Sequence, residues 1–210
     1  MATDQPDPTR TQQLDPGFEI TEPATSVLLV RLNRPTERNP LSIAILQALQ
    51  AELPKWFASD RIKTIIFTGT ADVFASGANI RELVTLDSRT AREFTELGQK
   101  LLNDIAATRQ TTIAAINGYC IGGGLDLALA CDLRIASANA KFAHPGARLG
   151  IITGWGGTQR LPRLIGRTRA FEMFLTTRTL RADEALLTGL VDLVADPVVA
   201  EALRLASPAS

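Results

Sequence analysis

The sequence is poor in the side chains that most often build metal and nucleophile sites: of 210 residues one is histidine, two are cysteine and one is tyrosine. A single imidazole excludes clustered-histidine zinc and iron sites and the HExxH pattern, all of which need more than one. No metal is expected, and His144 alone can serve as an imidazole base. Cys120 and Cys131 sit in apolar stretches without metal-ligand spacing, and read as reduced, buried thiols of an intracellular, cytoplasmic protein. No charge sign predominates, since 22 Lys+Arg balance 22 Asp+Glu, so no global field draws nucleic acid or an anionic membrane. A long hydrophobic run is missing too. The stretch between Arg109 and Asp126 carries Gln110, Asn117 and four glycines, short of the roughly 20 apolar residues that span a bilayer. The opening MATDQPDPTRTQQLDP has neither the basic nor the apolar region of a signal peptide and reads as a flexible polar tail over residues 1–16.

What is present is a globular α/β pattern, with 45% hydrophobic residues. Ser26–Leu32 reads as a strand ended by the turn Asn33-Arg-Pro35. Ser42 is placed to cap a helix from Ile43 to Phe57, in which Ile45, Leu46, Leu49 and Leu53 recur at helical spacing and Pro54 ends or kinks it. Lys63–Thr68 reads as a second strand. From Asp87 to Ala107, Phe94, Leu97, Leu101 and Ile105 form one helical stripe, before a third strand at Thr112–Ile116. This alternation predicts parallel strands joined by helical crossovers. Asn117–Gly124 then reads as a loop entering an apolar helix, Leu125–Ala130, with short strands at Leu133–Ile135 and Lys141–Ala143. Helices are expected over Thr158–Ile165, Arg169–Thr176 and Ala182–Thr188.

Three glycines at a helix entrance, Gly122 to Gly124, can leave backbone N–H groups free, and the helix dipole adds positive potential there. The same run equally allows tight loop–helix packing. It lacks the third glycine of GxGxxG, and no P-loop lysine follows. Asp126, three residues after Gly123, projects from the same first turn, either as a base facing a common substrate or as a simple complement to the helix terminus. At such a terminus its carboxylate is expected to stay ionised near neutral pH. A second glycine loop, Phe74–Ile80, offers another exposed N–H or an ordinary turn, and Ser76 is no nucleophile elbow because GxSxG is absent.

Taken in order, Phe74–Ile80, Ala115–Ala128, Cys131-Asp132, Phe142-Ala-His-Pro145, Leu149-Gly150, Gly156–Leu161 and Gly189-Leu-Val191 resemble the enoyl-CoA hydratase/isomerase family, also called the crotonase superfamily. The resemblance implies a spiral of ββα units over residues 17–193, holding an acyl-CoA thioester, with no cofactor beyond the coenzyme A of the substrate. It places the thioester oxygen between the backbone N–H groups of Ala78 and Gly123. It lays Ser76, Ile80, Arg81 and Gly122 along the substrate, with Arg81 either pairing with a CoA phosphate or simply solvated. Fatty-acid or related acyl-CoA metabolism and a homotrimer or dimer of trimers are implied as well.

Four departures stand out. Hydratases of this family manage water with two glutamates, at the positions of Asp126 and Gly146; here the first reaches about 1.5 Å less and the second is gone. His144, two residues from Gly146, either takes its part or is a packed structural residue. Asn79 stands where relatives often carry aspartate. Residues 194–210 read as a short remnant of the longer C-terminal helical region that relatives carry, either through truncation or with a neighbouring subunit supplying the cover. The first expectation is an enzyme that stabilises a thioester enolate, with one-base steps such as double-bond migration ahead of hydration, and with glutamate restored at both positions raising hydration. The alternatives are a catalytically weakened acyl-CoA-binding paralogue and a CoA-thioester hydrolase or decarboxylase.

Overall fold

The computed structural model describes residues 12–14 and 17–206, so most of the tail expected over residues 1–16 lies outside the described residues. The chain opens with β1 (Gln12–Leu14), β2 (Phe18–Ala24) and β3 (Val27–Leu32), antiparallel neighbours at one edge of a sheet. Next come β4 (Pro40–Leu41), α1 (Ile43–Ala58), β5 (Thr64–Thr68), β6 (Val73–Ala75), β7 (Gly77–Ala78), α2 (Ile80–Leu83) and α3 (Ser88–Ala107). They are followed by β8 (Thr111–Ile116), β9 (Tyr119–Ile121), α4 (Gly123–Ala130), β10 (Leu133–Ala136) and β11 (Lys141–Ala143). The chain continues through α5 (Gly157–Ile165), α6 (Arg167–Thr176), β12 (Leu180–Arg181), α7 (Ala182–Thr188), β13 (Leu193–Val194) and α8 (Val198–Ala206).

The large sheet has the order β1-β2-β3-β5-β8-β10-β13 and is parallel from β3 onward. The second strand of each unit leaves it: β6, β9 and β11 run parallel in a smaller sheet, closed by antiparallel β12. Each of the pairs β5–β6, β8–β9 and β10–β11 thus divides between two sheets before its helix, which is the expected ββα spiral. Two readings are corrected. Tyr119–Ile121 is a strand rather than loop, and β2 adds an antiparallel edge to the parallel core. A three-residue strand has no period for a sequence pattern to reveal.

Period-two alternation sorts the strands between two cores. Leu28, Val30, Leu32, Ile65, Phe67, Ala114 and Ile116 face the main core with α1, α3 and α4. Val27, Leu29, Ile66, Ile113 and Ala115 face the other way, against Val198 and Ala202 of α8. The Ser42 hydroxyl accepts from the Ile45 N–H at 3.3 Å, as its cap position predicts. Pro54 does not end α1, which runs on to Ala58. Asp87 starts α3 with a capping box completed by Thr90. Both cysteines are buried and free. Cys131-Asp132 serves the frame: Asp132 accepts from the Thr112 N–H and hydroxyl, while buried Arg134 reaches the Cys131 and Leu190 carbonyls and Asp192. Among the described residues no helix is long and apolar enough to cross a membrane.

Candidate active site

The two predicted donor segments, far apart in sequence, meet through a pair of glycines. Gly77 has φ +92°, and a Cβ there would lie 2.7 Å from the Ile121 carbonyl oxygen and 2.8 Å from the Gly123 nitrogen. Only glycine permits both that conformation and that approach. A Cβ on Gly123 would in turn lie 3.4 Å from the Ala78 nitrogen, so the two backbone N–H groups share one small region. Gly123 opens α4, where an N–H has no acceptor within the helix. Gly122 is different. Its φ of +54° turns the chain into the helix and its N–H is already spent on the Ala143 carbonyl at 2.9 Å, which corrects the idea that the whole glycine run presents free donors.

Every residue of α4 is buried, and Asp126 is its one charged side chain, 1% exposed. It does not cap its own helix. The Thr153 hydroxyl donates a short hydrogen bond to Oδ2, and Oδ1 faces His144 Nε2 at 3.5 Å. Burial pushes the carboxyl up to about 7, against the Thr153 hydrogen bond and the charge of Arg160, which both pull it down. The expectation of a fully ionised carboxylate at neutral pH is corrected to one about half protonated there, because desolvation by burial outweighs the helix terminus. Burial also pushes the His144 imidazole down to about 4, and its ring lies 5.1 Å, centroid to centroid, from that of Phe174.

Three residues of this site escaped sequence reasoning. Thr153 holds one carboxylate oxygen, and nothing in its neighbourhood in the sequence signals that. Gly157 starts α5 directly against Asp126; a Cβ there would lie 2.1 Å from Oδ1. Trp155 packs on Phe94 and fills the space beside Gly98 and Gly123, where a Cβ would come within 2.3 Å of the indole in either case. Gly98 in mid-helix, at a cost of about 1 kcal/mol relative to alanine, is the one signal in the sequence that could have pointed to a close neighbour. Arg160 fastens this segment by donating to the Trp155 carbonyl at 3.0 Å and to Asn103 Oδ1 at 2.7 Å.

Ser76 follows β6, its N–H bound to the Arg38 and Asn39 carbonyls, while Ile80 and Arg81 are exposed on α2, whose first turn Asn79 caps. Gly146 disappoints one expectation. A Cβ there would lie 2.7 Å from the Ile151 carbonyl oxygen, so a glutamate cannot be restored without moving backbone.

The ββα spiral thus sets the Gly77-Ala78 segment against the start of α4, the helix that carries the buried Asp126 carboxyl. The enoyl-CoA hydratase/isomerase family model matches residues 22–207. The crotonyl-CoA hydratase of Syntrophomonas wolfei is 40% identical over 179 residues, spanning 85% of this chain and 69% of that protein. The crystal structure of an enoyl-CoA hydratase from Bacillus anthracis superposes with a TM-score of 0.87 at 35% identity, over 90% of this chain and 75% of the other. Pseudomonas aeruginosa DspI gives 0.87 at 32% identity, over 98% and 82%. The chain belongs to the enoyl-CoA hydratase/isomerase family, and is an enzyme of that family.

Proposed function

We propose that the chain acts on an acyl-CoA thioester by stabilising its enolate, with the thioester oxygen received by the N–H groups of Ala78 and Gly123 and with Asp126 moving the proton. The juxtaposition of Gly77-Ala78 with the start of α4 carries this reading. Enolisation throws negative charge onto the thioester oxygen, and fixed donors stabilise it without reorganising. Ser76, Ile80, Arg81 and Gly122 lie along the CoA moiety, Arg81 being exposed and free to meet a phosphate. Asp126 is 1% exposed, so residues packed around it must move to admit the acyl group. Asp126 has no second carboxylate at position 146, so a one-base double-bond migration runs ahead of hydration. A cytoplasmic role in fatty-acid or related acyl-CoA metabolism accompanies this reading. Assembly as a homotrimer or dimer of trimers is supported by exposed Leu149, Ile151, Ile152, Phe171 and Leu175.

A panel of enoyl- and acyl-CoA thioesters followed by mass spectrometry and ultraviolet absorbance separates the chemistries, with crotonyl-CoA first because the Syntrophomonas relative is named for it. Isomerisation leaves mass unchanged, hydration adds one water, and hydrolysis frees CoA. We expect an isomerised product to form faster than a hydrated one; free CoA as the main product refutes the assignment. The donor is tested by comparing Gly123→Pro with Gly123→Ala. Both place a carbon against Trp155, yet only proline removes the N–H. Turnover of the proline variant should fall about 10²–10³ below that of the alanine variant. Equal rates in two folded variants place the oxyanion elsewhere.

A further inference from the structure

Two buried polar atoms face each other without a hydrogen bond of normal length: Asp126 Oδ1 and His144 Nε2, 3.5 Å apart, neither with another partner. Buried groups of this kind are rarely left unpaired, and a closure of about 0.6 Å brings them to ordinary hydrogen-bond distance. Their surroundings direct them at each other. Oδ2 is held by the Thr153 hydroxyl, Gly157 closes the remaining side of Oδ1, and Phe174 of α6 covers the imidazole. His144 precedes the 3-10 turn Pro145–Leu149, and that turn carries the chain past position 146 with no side chain to offer. Among the described residues, Arg160 of α5 and the Cys120 thiol of β9 are ionisable groups of other elements close enough to interact electrostatically with the carboxyl.

We propose that His144 is a positioning residue for Asp126, joined to it by one proton that sits on the carboxyl when the pair is neutral and on Nε2 when the pair is anionic. The proposal rests on the reading of Asp126 as the proton-handling group. In the neutral pair Oδ1–H donates to Nε2, and the imidazole carries its other proton on Nδ1. Ionisation passes the Nδ1 proton to water. The Oδ1–H bond then breaks, an Nε2–H bond forms, and the imidazole donates to the carboxylate. The pair changes charge from zero to minus one while the imidazole never becomes a cation. Asp126 thereby gains a second proton contact, on the side where the family's second carboxylate is missing, and its ionised form is held in one orientation.

Because the chain has one histidine, the untagged protein labelled with ¹⁵N-histidine gives a single pair of imidazole signals. Nitrogen chemical shifts distinguish the two neutral tautomers and the cation. The native protein should hold the Nδ1–H tautomer below about pH 7 and the Nε2–H tautomer above it, the pH at which Asp126 ionises. Asp126→Asn should keep the Nδ1–H tautomer throughout, because the asparagine amide donates to Nε2 at every pH. One tautomer on both sides of pH 7 in the native protein overturns the proposal. So does an imidazolium forming near the ordinary 6.5 in both proteins. This readout needs no substrate, so it decides the pairing even if no thioester turns over. With a turned-over thioester, His144→Phe should lower kcat about 10- to 100-fold with KM little changed, and His144→Gln should recover most of the loss. Equal kcat in the native, Phe and Gln proteins refutes the positioning role.

Discussion

Asp126→Asn should leave a folded protein that is more stable than the parent above pH 7 and nearly inert. The carboxyl is raised from 3.8 to about 7 in the fold. Between those values the unfolded chain is ionised and the folded chain is not. Its contribution to stability is therefore complete below pH 3.8 and is lost as pH rises through about 7, a loss of about 4 kcal/mol. His144 slopes the other way: with its imidazole lowered from 6.5 to about 4, its contribution is complete above pH 6.5 and is lost as pH falls toward 4, about 3 kcal/mol. In the parent the two slopes nearly cancel between pH 4 and 7. Asparagine keeps an acceptor for Thr153 and a donor for His144, so the variant retains the histidine slope alone. Denaturant midpoints at pH 4.5, 6 and 8 should show the variant's advantage widening with pH. A constant difference would mean that Asp126 carries no proton at neutral pH. Turnover should fall about 10²–10⁴-fold, while the parent's own rate for a base-dependent step should rise through about pH 7. A variant that works at the parent's rate places the chemistry on another group.

Gly157→Ala is the second large effect expected, from one methyl group. Its Cβ would lie 2.1 Å from Asp126 Oδ1 and 2.8 Å from Thr153 Cγ2, so the carboxyl and its hydrogen-bond partner must both move. Overpacking of this kind costs about 1–3 kcal/mol, and a carboxyl misplaced by about 1 Å costs about 10²-fold in rate. The two consequences are separable. On an Asp126→Ala background the space opens, and Gly157→Ala should then be much less destabilising, a coupling that a double-mutant cycle measures directly. Thermal midpoints that simply add across the cycle would show that Gly157 is needed for its backbone and not for the room it leaves Asp126.

Much of this protein is legible in its sequence, for local reasons. The Ser42 cap and the stripe from Phe94 to Ile105 are patterns within single elements, and the observed α1 and α3 begin and end within a residue of the expected Ile43–Phe57 and Asp87–Ala107. The strands at Val27, Thr64 and Thr111 are long enough for apolar character to show. The glycine motifs, through the family they resemble, point to Gly77-Ala78 and Gly123 as neighbours, and the structure brings these segments together because glycine is demanded where backbones approach closely. Three-residue strands such as β6 and β9 are too short to leave a pattern of their own, and their division, with β11, into a second sheet depends on neighbours that sequence distance hides.

The sequence by itself determined the fold class, the family and the place of one carboxyl, Asp126, in the first turn of the helix that Gly123 opens. Tertiary structure alone decided the state of that carboxyl. A helix terminus, visible locally, argues for an ionised Asp126; burial by α4's surroundings, visible only when the chain is folded, wins and raises it to about 7. The same holds for its neighbours. Thr153 lies 27 residues from Asp126 and His144 lies 18 away, yet all three converge where α5 begins, and Gly157 is bare so that they can. Desolvation and close approach are sums over everything packed around a group, so no window of sequence contains them.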